Sequence, residues 1–424
     1  MKSSKKNSKI LAISLVLCLV SMIGASIVQR SGGRVEIKDL RWETPSGHLM
    51  SALLFIPENA TEDNPAPAIV TSHGWYNNRE MQDLNYVEYS RRGYVVMSID
   101  MYGHGNSEAV TPAEWEKRGT GMYDAVELMA SLPYVDKARI GITGHSNGAR
   151  AANWSIKDDN LKEKDEQLIS AVLLVANDAM YTDDPGEPLY WSMRTDEQEY
   201  ANVYGSRDVG IIAAQYDEFF CRSKKEDGSY TVPLDFLKTE YAKSFLNFGV
   251  DPKVEGENRT SETIYKQEVD GETTSRVIYN PDQIHPWNHF SAKCVSYGVE
   301  FFEDALGAPN PISPSSQIWQ IKVIFNLLGL IGFVMFVISF TRAMLCTKAF
   351  ESLKASEEVT IRQAPTGKGK AWFWGSLIIS AIVSAFAYIK LFNVTMSSVP
   401  SFFPQAPVYF IGVWSTVMGI VTII

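Results

Sequence analysis

Gly144-His145-Ser146-Asn147-Gly148 sets a serine between two glycines. A short apolar run, Arg139 to Thr143, precedes it, and a small-residue run, Ala149 to Ala152, follows. That order predicts a strand, a sharp turn at the serine and the start of a helix. A turn this tight leaves no room for bulk on the flanking residues, which explains the glycines. It also presents the serine hydroxyl, and the N–H of the following residue, to one space. A serine so exposed becomes a nucleophile when a base lies within hydrogen-bond reach and a carboxylate orients that base. Alone the pentapeptide is a weak signal, because glycine and serine are common in turns. The rest of the chain has to supply the partners.

The elements needed to position them are legible around it. Val35 to Pro57 reads as two strands divided by the Pro45-Ser46-Gly47 turn. Pro67 to Ser72, Gly93 to Asp100, Ser170 to Ala176, Val209 to Ala214 and Arg276 to Tyr279 are short, nearly continuous apolar runs. Helical patterns over Arg79 to Arg92, Gly119 to Leu132 and Ser291 to Leu306 alternate with them, the last with Val295, Val299, Phe302 and Leu306 on one face. Buried strands alternating with helices predict an α/β fold, a mostly parallel sheet covered on both faces. The polar stretch from Phe219 to Thr274 predicts insertions, with a hairpin around Asp270-Gly271.

Composition narrows the function. The chain of 424 residues carries a formal charge of −10, and all but three of its 49 acidic side chains fall within residues 31–317. No basic patch suggests nucleic acid as a partner. Cysteines at 18, 221, 294 and 346 form no C-x-x-C pair, and no H-E-x-x-H occurs, so no metal site is expected.

Both ends read as membrane segments. A lysine-rich start is followed by an uncharged apolar run, Ile10 to Val28. It is an export signal long enough to remain as an anchor, with cleavage as the alternative. Ile318 to Phe340, Ala371 to Phe392 and Val408 to Ile424 approach the length of spanning helices. The loop between the first two carries Arg342, Lys348, Lys354, Arg362, Lys368 and Lys370, and positive loops stay cytoplasmic. The expected organisation is therefore a cytoplasmic N-terminus and signal-anchor helix over 1–30, an extracytoplasmic domain over 31–310, and a multi-pass membrane region over 311–424. Ser376, Ser380 and Ser384 give one helix a small face suited to packing. The last helix ends at Ile424 with no flanking charge, which suggests a C-terminal truncation.

Four further stretches give the chain its resemblance to the α/β-hydrolase superfamily, in its dienelactone-hydrolase-like and peptidase-like branches. They are His73-Gly74-Trp75, the Asp100-Met-Tyr-Gly-His-Gly-Asn-Ser107 loop, the approach from Val135 to Ser146, and Ala214-Gln-Tyr-Asp217-Glu218. The resemblance covers about residues 35–306; membrane helices after the domain depart from its usual pattern. It implies a catalytic order of serine, acid and histidine. Ser146 is then the nucleophile and Asp217 the acid, with Glu218 and Asp178 as alternatives. Only His285 and His289 follow the serine, and His289, directly before the final helix, is preferred because His285 is pinned by Pro286. His73, His104 and His145 are expected to support their own loops. The backbone N–H groups of Trp75 and Asn147 are expected to form the oxyanion hole. Tyr76, Phe219 and Trp287, with Trp75 and Phe220, fall at strand tips, where they either line an apolar pocket or pack under loops. If the acid and histidine loops converge, Cys221 and Cys294 come close enough for a disulfide.

The expected activity is a membrane-tethered serine hydrolase that cleaves an ester or related acyl bond through an acyl-enzyme, without a cofactor. Its partners are a small-molecule ester or peptide substrate and the lipid bilayer. A serine peptidase of the same fold and a non-catalytic membrane sensor or assembly protein are the alternatives.

Overall fold

A computed structural model describes the chain except residues 1–4, 112, 116–118, 180–199, 223–224, 226, 255, 355–365, 397, 401–402, 404 and 424. The chain forms two compact units, Arg30–Trp319 and Met1–Gln29 with Gln320–Ile424.

The larger unit is built on nine strands: β1 (Val35–Glu43), β2 (Leu49–Pro57), β3 (Ala66–Ser72), β4 (Val95–Asp100), β5 (Val135–His145), β6 (Ile169–Val175), β7 (Asp208–Ile212), β8 (Tyr265–Val269) and β9 (Glu272–Tyr279). They form one sheet in the order β1-β2-β4-β3-β5-β6-β7-β9-β8. From β4 to β9 the six central strands run parallel; β1 and β2 at one edge and β8 at the other run antiparallel to their neighbours. The mixed sheet with its reversal at β2 is the α/β-hydrolase topology. Every residue of β3 and β4 is buried, as continuous apolar runs require of strands covered on both faces. The Asp270-Gly271 hairpin forms, with both residues at positive φ (52° and 82°), the conformation of a two-residue hairpin turn.

The helices, in chain order, are α1 (Lys5–Gln29), α2 (Asp83–Ser90), α3 (Met122–Ala130), α4 (Asn147–Asp159), α5 (Glu240–Leu246), α6 (Ala292–Leu306), α7 (Trp319–Met344), α8 (Gly367–Met396) and α9 (Ala406–Ile423). One face of the sheet is packed by α3, α4 and α5, the other by α2 and α6. Val295, Val299, Phe302 and Leu306 are the buried stripe of α6. Gly141 lets that helix approach, since a Cβ there would lie 2.6 Å from the Phe302 ring.

This unit runs to Trp319, beyond the boundary at 310 that the sequence suggests. The segment after α6 is strapped down by two fully buried, mutually paired side chains on and beside α2. Arg92 donates to the carbonyls of Ile312, Ser313 and Ser316, and Glu88 accepts the N–H groups of Ile318 and Trp319. A charge pair this deep holds only when its remaining hydrogen-bonding capacity is met, and the linker backbone meets it.

In the smaller unit α1 and α7 pack antiparallel. Asn7 donates to the Ser339 carbonyl, Gly332 lies against Cys18, Gly329 against Ser21 and Gly24 against Phe325. Small residues at such contacts let helix backbones approach closely. Helices α8 and α9 pack through Tyr388, Phe392, Phe410 and Trp414. In the serine row of α8, Ser376 and Ser380 are exposed and only Ser384 meets a neighbour, its carbonyl accepting the Trp414 indole N–H. By length and composition α1, α7 and Gly367–Thr395 of α8 are long and apolar enough to cross a membrane, whereas the apolar part of α9, Val408–Ile423, is shorter. Arg362, part of the basic loop in the sequence, lies outside the described residues.

Candidate active site

Ser146 ends β5 and stands at the N-terminus of α4, with φ 58° and ψ −113°. A non-glycine residue there is strained, and it persists because its surroundings over-determine it. A Cβ on Gly144 would meet the Gly148 carbonyl carbon at 2.3 Å, and one on Gly148 would meet the Ser72 carbonyl oxygen at 2.3 Å. Both obstacles are backbone, so neither can move aside cheaply. The Ser146 N–H is taken by the Val175 carbonyl of β6, and Asn177 donates to the Ser146 carbonyl. As the first residue of α4, Asn147 has no intrahelical acceptor for its own N–H.

On the neighbouring strand tip, His73 accepts the Met101 N–H on Nε2 and donates Nδ1–H to the Gly74 carbonyl. Burial, reinforced by the nearby His104, pushes its pKa down to about 3 and keeps it neutral. His104 similarly donates to the Tyr102 carbonyl. These two histidines support their loops. The Asp100–Ser107 loop is also architectural: the Asp100 carboxylate accepts the N–H groups of Arg79 and Asn106, and Ser107 bonds back to the Asp100 carbonyl. Gly74, beside the serine, would bring a Cβ to 3.4 Å from the Ser146 Cβ, so the next residue, Trp75, enters the site directly.

Asp217 follows β7 and is buried. Its Oδ1 accepts the N–H groups of Phe219 and Phe220, and its Oδ2 accepts Nδ1–H of His285 at 2.7 Å. The partner is His285, not the preferred His289. Tyr216 bridges Ile284 in parallel register, so the next residue of each segment, Asp217 and His285, lie side by side. Pro286, which counted against His285 in the sequence, stands in the first turn of a 3-10 helix, His285–Phe290, where its ring is tolerated. His289 turns inward instead. It hydrogen-bonds the Met81 backbone, its ring centroid lies 4.0 Å from that of His145, and burial followed by the charge of His285 pushes its pKa down to about 4.

With Nδ1–H given to a carboxylate, His285 keeps Nε2 as its basic nitrogen, the tautomer a general base needs. The backbone around it is held on both sides. Glu218, an alternative acid by sequence, accepts the His285 N–H at 2.9 Å and so holds the chain, not the ring. The His285 carbonyl accepts from Asn288 Nδ2 at 2.7 Å and from His145 Nε2 at 3.1 Å. His145 was not legible as part of this constellation, since nothing local connects residues 140 apart in the chain; Asn288, only three residues from His285, was overlooked. Asp178, the other alternative, follows β6, where its carbonyl accepts from Asn153.

Cys221 and Cys294 are both buried and free. The Cys294 thiol sits between Gln283 and Asn288, and burial pushes its pKa up to about 11. The loops do converge, but this thiol is spent on ordering the histidine loop. Around the mouth Trp75, Tyr76, Phe219 and Trp287 are exposed by 39, 51, 67 and 54%. Of the loops from Met180 to Asp208, residues 180–199 lie outside the described residues.

Residues 46–184 match the family model described as X-Pro dipeptidyl-peptidase (S15 family). The match spans the strained serine and ends before Asp217 and His285. The chain is a serine hydrolase of the α/β-hydrolase fold. Solved structures similar to the hydrolase include a hyperthermophilic esterase from Pyrobaculum calidifontis, 17% identical, covering 76% of this chain and 92% of that one with TM-score 0.38. An esterase from Pyrococcus furiosus is 14% identical, covering 66% and 96% with TM-score 0.41. A hypothetical protein from Pseudomonas aeruginosa is 13% identical, covering 64% and 94%, also with TM-score 0.41. No curated protein matches the hydrolase.

Proposed function

We propose that the chain is a membrane-tethered hydrolase, its larger unit outside the cytoplasm, in which Ser146, His285 and Asp217 form a catalytic triad that cleaves an ester or related acyl bond. The observation that carries this reading is the 2.7 Å bond from His285 Nδ1 to a buried carboxylate, formed by loops at the carboxyl ends of the parallel strands, the end of the sheet that also bears the strained serine. Ser146 Oγ attacks the acyl carbon while His285 Nε2 takes its proton, and Asp217 holds the imidazolium that results. The oxyanion is met by the N–H groups of Trp75 and Asn147, the second reinforced by the positive end of α4. Each such donor is worth roughly 3–4 kcal/mol where the charge develops. His285 passes that proton to the departing leaving group, which leaves an acyl-serine, and the neutral imidazole then activates the water that releases the acid. No cofactor is called for. The exposed aromatic rim of Tyr76, Phe219 and Trp287 suits an apolar acyl or leaving group. The basic 341–370 loop supports the orientation.

The test is labelling of the full chain with a fluorophosphonate, alongside turnover of p-nitrophenyl acetate. Wild type is expected to label and turn over, and Ser146→Ala to do neither. An adduct or a rate that survives Ser146→Ala refutes the assignment, and a folded wild type that never labels favours a non-catalytic sensor.

The family-model match favours one second reading, a peptidase releasing dipeptides that end in proline. Gly-Pro-p-nitroanilide separates the two: kcat/KM above that for the acetate ester selects the peptidase.

A further inference from the structure

The side chain before the nucleophile is a histidine, and it does not face the solvent. His145 is buried, with its ring centroid 4.6 Å from that of His285 and 4.0 Å from that of His289. Its Nε2 lies 3.1 Å from the His285 carbonyl oxygen. A carbonyl only accepts, so Nε2 must carry the hydrogen and Nδ1 is left bare. That Nδ1 is buried with no hydrogen-bond partner among the described residues. An unsatisfied buried acceptor costs about 1–3 kcal/mol, a cost an apolar side chain at this place would not incur. What the histidine supplies in return is a single donor, aimed at the backbone of the residue that holds the proton in the triad.

The other fasteners of His285 come from elsewhere. Glu218 and Asp217 belong to the acid turn, and Asn288 belongs to the histidine loop itself. Among these, only His145 ties His285 to the strand that ends in Ser146, across 140 residues of sequence. The placement of His285 relative to Ser146 is therefore referred to one hydrogen bond from the residue beside the serine to the backbone of His285 itself. Burial first, then the charges of His289 and His285, hold the His145 pKa well below its ordinary value, so the donor tautomer persists across the neutral range.

We propose that His145 is a positioning residue for the proton transfer between Ser146 and His285, with its Nε2–H fixing the histidine loop to the nucleophile strand. This rests on the triad reading above. A misplacement of about 1 Å between reacting groups costs on the order of 10²-fold in rate, without a matching effect on substrate binding.

The test uses the full chain in detergent micelles with p-nitrophenyl acetate as substrate and Ser146→Ala as reference. His145→Phe keeps the ring and removes the donor; kcat is expected to fall about 10²-fold with KM within about two-fold. His145→Gln keeps an N–H donor and is expected to recover kcat to within about five-fold of wild type. The thermal midpoints of both variants are measured alongside. A His145→Phe enzyme with wild-type kcat overturns the proposal, and so does a His145→Gln enzyme that loses as much as His145→Phe. If His145→Phe does not fold, His145→Met, which also removes the donor from the His285 carbonyl, takes its place; the same kcat-selective loss is expected, and its absence counts against the proposal. Activity that survives Ser146→Ala overturns the triad itself. A wild-type His145→Phe in an enzyme that Ser146→Ala silences overturns only the positioning role.

Discussion

The serine side and the histidine side of the site are built by different means. At the serine, the requirement is written into five consecutive residues: Gly144 must clear the Gly148 backbone, Gly148 must clear the Ser72 carbonyl, and Ser146 is strained between them. At the histidine, nothing local decides. His285 and His289 lie in one short 3-10 helix, four residues apart, yet one meets a carboxylate and the other is buried against Met81 and His145. The contrast teaches that a tight turn advertises itself in composition, whereas a pairing across distant loops does not.

The sharpest way to break the comparison is to exchange the roles of the two histidines. His285→Ala is expected to lower kcat on the order of 10⁶-fold, the loss typical of a triad base. His289→Gln is expected to stay within about ten-fold, since that side chain only packs and bonds backbone. Equal losses in the two, measured as kcat on p-nitrophenyl acetate, mean that the ring bonded to Asp217 is not the base.

Next in size is the acid. Asp217→Asn keeps the shape but favours the wrong tautomer of His285, and kcat should drop on the order of 10⁴-fold. Asp178→Asn serves as the comparison and should change little; the opposite ranking moves the acid to Asp178.

On the serine side the effect is expected in stability before rate. Gly148→Ala drives a methyl to 2.3 Å from the Ser72 carbonyl oxygen. Overpacking against backbone that cannot yield should cost about 3 kcal/mol, read as a lowered midpoint in chemical unfolding. An unchanged midpoint shows that the elbow is looser than its geometry.

The smallest effect is on pH. In the folded protein His289 titrates at about 4 and His73 at about 3, below the 6.5 of an unperturbed histidine. The unfolded chain therefore binds more protons than the folded one between those values, and stability is lost as pH falls from about 6.5 toward 3. Thermal midpoints measured from pH 7.5 to 4.5 should decline, and His289→Gln should flatten that decline. A slope identical to wild type removes His289 from the buried, neutral set.

The alternation of apolar strands and helices, the Pro45–Gly47 and Asp270-Gly271 turns and the buried stripe of α6 were all legible, because each expresses a rule of local conformation or periodicity. The extent of the larger unit was less so. Its last residues look like a proline-rich linker until Arg92 and Glu88 are seen to hold them. The proximity expected of Cys221 and Cys294 rested on a sound convergence of loops, but proximity of loops does not set the direction of a side chain.

By itself the sequence determined the strained serine turn, the sheet that carries it and the apolar helices at either end. Periodicity and the steric demands of glycine act over a few residues, so they can be read without a structure. Only the tertiary structure decided which histidine the acid meets and that His145 grips its backbone. Those choices depend on the register between Tyr216 and Ile284 and on contacts across 140 residues, and neither has any expression in neighbouring sequence.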